Sequence, residues 1–167
     1  LVSHASAATY EINAGDDLWG RLSSLAAGDI VIVHAGTYTQ TSRFEATWPG
    51  TEAMPIVVRA ADGEARPVLT RDAAQNLMNL HGSWFTFRGF ELTGGSHGLR
   101  LSDVDHSTFE DLLIHDTDDV GISCNVSDAA GDPNGCSSVV IRGCEIHHTN
   151  GTGEGLYLGC NSGACVF

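Results

Sequence analysis

The chain has 167 residues, 42% of them hydrophobic and 17% charged, which is enough apolar material for the core of one domain. It carries 21 acidic against 8 basic residues, a formal net charge of −13, and every one of the eight bases is arginine. That balance disfavours phosphate backbones and anionic lipid surfaces as partners, and the absence of lysine removes Schiff-base chemistry and a P-loop ATPase. No apolar run is long enough to span a bilayer.

Residues 1–9 read as a tail. Ala5-Ser6-Ala7 fits the small-x-small pattern before a signal-peptidase cut, with Ala8 as the first mature residue; a plain small-residue tail reads the same way. Residues 10–167 read as one domain. Gly15-Asp16-Asp17 can cap a short amphipathic helix with Leu18, Leu22 and Leu25 on one face, ended by Gly28-Asp29. Ile30–Val33 follows as a buried strand, then Pro55–Arg59 and Pro67–Thr70 as strands joined by the turn Ala61-Asp62-Gly63-Glu64.

The second half repeats. Trp84–Thr93, Ser107–His115 and Val139–His147 superpose, and each is followed by a strand opened by glycine at Gly98, Gly121 and Gly155. The last interval is lengthened by an Asp-, Gly- and Pro-containing insertion at 126–135. Short alternating strands with a period near two dozen predict a β-solenoid of about five to six coils, capped by the helix and open at the C-terminal end. The alternation places Phe90, Leu112 and Cys144 in one inner stack and Leu92, Ile114 and Ile146 in another. Arg88, Glu110 and Arg142 then form an outer column of alternating charge, with both arginines expected to engage Glu110. Cys165-Val166-Phe167 repeats the opening of the third copy, so a longer solenoid is expected, with self-association through the open coil as the alternative.

Five cysteines without CxxC spacing favour disulfides over zinc and an extracellular or periplasmic setting. Pairing Cys124 with Cys136 and Cys160 with Cys165 would staple two loop bases; the coil-to-coil pairing Cys124–Cys160 and Cys136–Cys165 also satisfies stacking. Cys144 is left as a buried thiol.

Leu25–Tyr38 is similar to the cap and first coil of right-handed parallel β-helix proteins of the pectate-lyase-like class. Gly50-Thr51, Pro55–Ala60 and Pro67–Leu69 resemble early coils of the chondroitinase B and alginate lyase family, and Gly153–Gly159 resembles a strand of secreted β-helix proteins of polysaccharide metabolism. The resemblance implies an all-β, right-handed parallel β-helix and a secreted protein that binds or cleaves an acidic polysaccharide as a lyase or hydrolase. It also implies a lysine base and often a calcium ion, and this lysine-free chain departs from the first of these. The alternative is a non-catalytic extracellular structural, adhesive or self-assembling module.

Three sets of residues carry candidate chemistry. Arg100, Ser123 and Tyr157 share the outer face of the glycine-opened strands, where tyrosine can stack on a pyranose and arginine can take a uronate carboxylate. Asp116, Asp118, Asp119 and Glu154 could offer oxygens to Ca²⁺, which wants six to eight of them, while a solvated polar turn is the plainer reading. His147 and His148, stacked beside His115 and Asp116, could hold a transition metal together with Asp116 or serve in acid–base work, and Arg100, Glu154 and Tyr157 are further catalytic candidates. Glu91 and Glu145 lie in one outer column two coils apart, about 9.6 Å by strand spacing, which an inverting hydrolase would allow. GxSxG, GxGxxG and HExxH motifs are absent.

Overall fold

The computed structural model describes residues 7–71, 75–125, 135–151 and 153–159. The Ala5-Ser6 part of the processing pattern, the Cys160–Cys165 pair and the Cys165-Val166-Phe167 repeat lie outside them.

The chain opens with β1 (Thr9–Ile12) and helix α1 (Leu18–Leu22), and then winds through five coils of three strands. They are β2 (Ile30–Val33), β3 (Thr37–Thr39), β4 (Glu45–Pro49); β5 (Ile56–Ala60), β6 (Val68–Arg71), β7 (Met78–Ser83); β8 (Phe85–Arg88), β9 (Glu91–Gly94), β10 (Leu99–Asp105); β11 (Thr108–Glu110), β12 (Leu113–His115), β13 (Ile122–Asn125); β14 (Val140–Arg142), β15 (Glu145–His147) and β16 (Leu156–Gly159). Every paired strand runs parallel to its neighbours. The first sheet is ordered β1-β2-β5-β8-β11-β14, the second β3-β6-β9-β12-β15 and the third β4-β7-β10-β13-β16. The architecture is therefore a three-sided parallel β-helix. The stack starts one strand earlier than the alternation indicated, with β1 hydrogen-bonded to β2.

The corners explain how a single repeat turns three times. Trp84, His106 and Ser138 lie where the third sheet leads into the first, with φ of 53°, 45° and 52°. Gly89, Asp111 and Gly143 mark the next corner, and Gly94, Asp116 and His148 the last, all with positive φ. One left-handed residue per corner reverses the pleat, and asparagine-like or glycine residues supply it at least steric cost. The Trp84 and His106 rings stack at 4.3 Å, which holds two of the costlier examples in place.

Inside, Phe85, Phe87, Phe90 and Phe109 pack on one another and on Trp48. Phe90, Leu92, Leu112 and Ile114 are fully buried as the alternation predicts, while Cys144 and Ile146, one coil further on, are only partly covered. The Cys144 thiol is therefore half-buried, with its pKa pushed up by that burial, and it is free among the described residues. At the other end α1 closes the first coil. Asp17 accepts from the Gly20 amide, Leu18 and Leu22 are fully buried, and the Trp48 indole donates to the Leu22 carbonyl at 2.8 Å. Cys124 and Cys136 form the disulfide at the base of the insertion.

The outer column of the first sheet reads Arg59, Arg88, Glu110, Arg142 in register. Arg142 grips Glu110 through both Nε and Nη2, each at 3.1 Å, so Arg88 is not paired with Glu110 as the alternating column implied.

Two substitutions check the packing. Phe90→Ala removes a ring stacked 4.4 Å from Phe87 and should cost about 3–5 kcal/mol in urea unfolding, whereas Val140→Ala, at a position 46% exposed, should change stability by less than about 0.5 kcal/mol. Cys136→Ser should cost about 2–3 kcal/mol by freeing the 12-residue closure to Cys124.

Candidate functional site

The third sheet presents an outward column, Glu45–Asn79–Arg100–Ser123–Tyr157, with every step given by strand register. Its inward neighbours Leu99, Leu101 and Ile122 are fully buried, so the column faces away from the core. The three residues singled out from the sequence are thus brought together on adjacent coils. Tyr157 is 39% exposed and Arg100 is half-buried, but Ser123 has no exposed surface.

His97 covers Ser123, and the sequence reading missed it. It sits in the turn just before Gly98, and its Nδ1 is 2.7 Å from the Ser123 hydroxyl. Its Nε2 faces an Asp119 carboxylate oxygen at 3.5 Å, and Arg100 Nη1 reaches the same Ser123 oxygen at 3.5 Å. Burial holds the His97 pKa below its ordinary 6.5; the Asp119 charge opposes this, and the Arg100 charge adds to it. At neutral pH the ring is therefore neutral. With Nε2–H directed to Asp119, Nδ1 accepts from the serine hydroxyl, whose oxygen then remains an acceptor toward Arg100.

Asp119, His97 and Ser123 resemble a hydrolytic triad only in composition. A serine with no exposed surface cannot attack a substrate, and its hydroxyl is instead in contact with Arg100. Its effect is to hold a guanidinium in one orientation on an outer face. Glu154 lies close enough for its charge to act on His97, which places it at this same end of the sheet.

The other candidates lie elsewhere. His147 is in β15 on the second sheet, its ring stacked 5.3 Å from His115 and its Nδ1 2.6 Å from His148 Nδ1. His115 is clasped by Asp116 at 2.7 Å and Glu91 at 3.1 Å. Asp116 is thereby spent on His115 while Asp119 is turned toward His97, so the four proposed calcium ligands do not converge. Among the described residues no three His, Cys, Asp or Glu side chains are placed to hold a metal ion. Glu91 and Glu145 do share a column with Leu113 between them, but Glu91 is bonded to His115.

A third histidine is also clasped. His34 bridges Glu64 at 2.8 Å and Glu11 at 2.9 Å, and those bonds raise its pKa above 6.5. Burial acts to lower His115, but the bonds to Asp116 and Glu91 outweigh it and raise its pKa as well. Charge on His34 and His115 therefore stabilises the fold below about 6.5, and that stability is lost as pH rises through their raised values. His97 works the other way: the unfolded chain protonates first, so stability falls as pH drops from 6.5 toward its lowered value. Histidine ring signals followed by NMR should titrate above 6.5 for His34 and His115 and below 6.5 for His97. A His97 midpoint above 6.5 would contradict the buried neutral ring.

The chain is 29% identical to pectate lyase PEL9 of Emericella nidulans, over 57% of this chain and 27% of that protein. It superposes on an alginate lyase from Paenibacillus sp. str. FPU-7 with a TM-score of 0.77 and 25% identity, over 91% of this chain and 50% of that one. Pectate lyase Pel9A matches with a TM-score of 0.73 and 18% identity over 96% and 47%, and shares the fold. This chain thus spans about a quarter of the curated relative and about half of each solved structure. The model of the Pel9A-like, right-handed β-helix region matches residues 4–155, and the chain belongs to that family.

Proposed function

We propose that the third-sheet face binds the uronate backbone of an acidic polysaccharide and forms part of the groove of a polysaccharide lyase that works outside the cytoplasm. The observation that carries this reading is the in-register set Arg100–Ser123–Tyr157, with Arg100 steadied through Ser123 by His97. The related chains are lyases of alginate, pectate and rhamnogalacturonan, all polymers that contain uronic acids. The Cys124–Cys136 disulfide supports an oxidising compartment.

Elimination from a uronate removes the proton beside the carboxylate and expels the glycosidic oxygen from the adjacent carbon. The charge that develops on the carboxylate must be neutralised. Arg100 offers a charge-assisted, two-pronged contact for this, and the exposed Tyr157 ring offers a stacking surface one coil beyond Ser123. His97 does not serve as the proton acceptor in this arrangement, because both ring nitrogens are engaged. The chain contributes binding and charge neutralisation. No residue of this column is assigned as the base.

The test is incubation of the full-length protein with polygalacturonate, alginate and rhamnogalacturonan, read as ultraviolet-absorbing unsaturated ends. One of the three should yield product, and Arg100→Ala should lower kcat/KM by about tenfold or more. Absence of unsaturated product from any uronate polymer would overturn the lyase reading and favour a non-catalytic module.

A further inference from the structure

A second polar site lies on the opposite flank, at the corner between the first and second sheets. The loop after β5 folds over the corner, and Arg66 reaches across to Asp111, in the turn after β11 two coils further on. Beneath this strap the intervening corner is the single residue Gly89, with φ of +84°; a Cβ there would stand 3.0 Å from the Ala60 methyl. The result is a cleft of about 500 Å³ floored by Ala60 and Gly89 and walled by Arg66, Arg88, Glu64 and Glu110.

Asp62 is bonded to Arg59, and Glu64 to His34 and the Ala35 amide. Asp111 is bonded to Arg66, and Glu110 is gripped at both oxygens by Arg142. Every carboxylate lining the cleft is therefore engaged. Arg88 has no hydrogen bond or ion pair among the described residues, although its neighbour in the column toward β5 is another arginine, Arg59. Like charges at directly paired strand positions destabilise a sheet unless an anion lies between them or beside them. An exposed guanidinium that no carboxylate of the lining takes up, opening into a glycine-floored cleft, is available to a carboxylate ligand.

We infer that this cleft is an accessory uronate-binding site, in which Arg88 takes the carboxylate of one sugar of the polymer. The surrounding acids repel a single carboxylate on a polar ring less than a compact dianion such as phosphate. A cleft of this size and polarity accommodates a sugar unit with its hydroxyls in contact with the loop. The site lies on a different sheet from Arg100, so one chain could hold a polymer at two points and gain effective concentration at the groove. The choice of a uronate rests on the proposed function; the availability of Arg88 to a carboxylate rests on the geometry alone.

The experiment is calorimetric titration of the full chain with a galacturonate trimer, a mannuronate trimer and acetate, using the unsubstituted protein, Arg88→Gln, Arg100→Gln and the double variant. The inference predicts that Arg100→Gln retains binding of at least one trimer, and that adding Arg88→Gln weakens the remainder by about tenfold or more. Arg88→Gln should leave the melting temperature unchanged or raised, because it removes a like-charge contact. If Arg88→Gln binds every trimer as the unsubstituted protein does while Arg100→Gln abolishes binding, this inference fails and the third-sheet reading stands. Acetate binding at Arg88 as tightly as either trimer overturns the sugar assignment. No binding of any trimer by any form overturns both readings.

Discussion

The register between parallel coils is the constraint on which everything else in this protein depends. Each strand lies about one ladder spacing from its counterpart in the next coil, with equivalent residues aligned and pointing the same way. A residue type chosen once is therefore tested against its neighbours above and below. Apolar positions become continuous stacks, such as Phe85, Phe87 and Phe109 around Trp48. Left-handed corners become columns. Outward polar positions become rows of side chains close enough to bond, repel or bind one ligand together, and Arg100, Ser123 and Tyr157 are such a row.

In an acidic chain without lysine, this stacking makes charge placement exacting. Histidine takes over part of the role that lysine plays elsewhere. His34 bridges Glu11 and Glu64 from different coils, and His115 sits between Glu91 and Asp116. His97 differs because it is the more buried of these rings and shares its surroundings with Arg100; it stays neutral and acts through hydrogen bonds. The same residue type thus ties coils together at His34 and His115 and contacts the Arg100–Ser123 pair at His97. Burial and the sign of the neighbouring charge decide which.

The sequence was most legible where the repeat was cleanest. The strands from Phe85 onward, their register and the Cys124–Cys136 staple could be read because three copies constrained one another. β4 and β7 were missed. Glu45–Pro49 ends in proline, Met78–Ser83 contains Gly82, and neither has the run of β-branched residues that marked Ile30–Val33. The column Arg100–Ser123–Tyr157 was also legible, since glycine-opened strands fixed its alignment. His97 was not, although its place just before Gly98 puts it in register with Val120 and Glu154; its importance comes from burial over Ser123, a tertiary property. Arg88 was assigned to Glu110 because alternating signs suggest equal sharing. In the structure Arg142 contacts both oxygens of Glu110, and Arg88 makes no ion pair with it.

The central claim is that the register column of the third sheet is where a uronate polymer lies. A crystal structure of the protein with a galacturonate or mannuronate trimer tests it most directly. The account predicts a sugar carboxylate within hydrogen-bonding distance of the Arg100 guanidinium and a ring against Tyr157. A trimer bound at saturating concentration with the third-sheet face empty would contradict it.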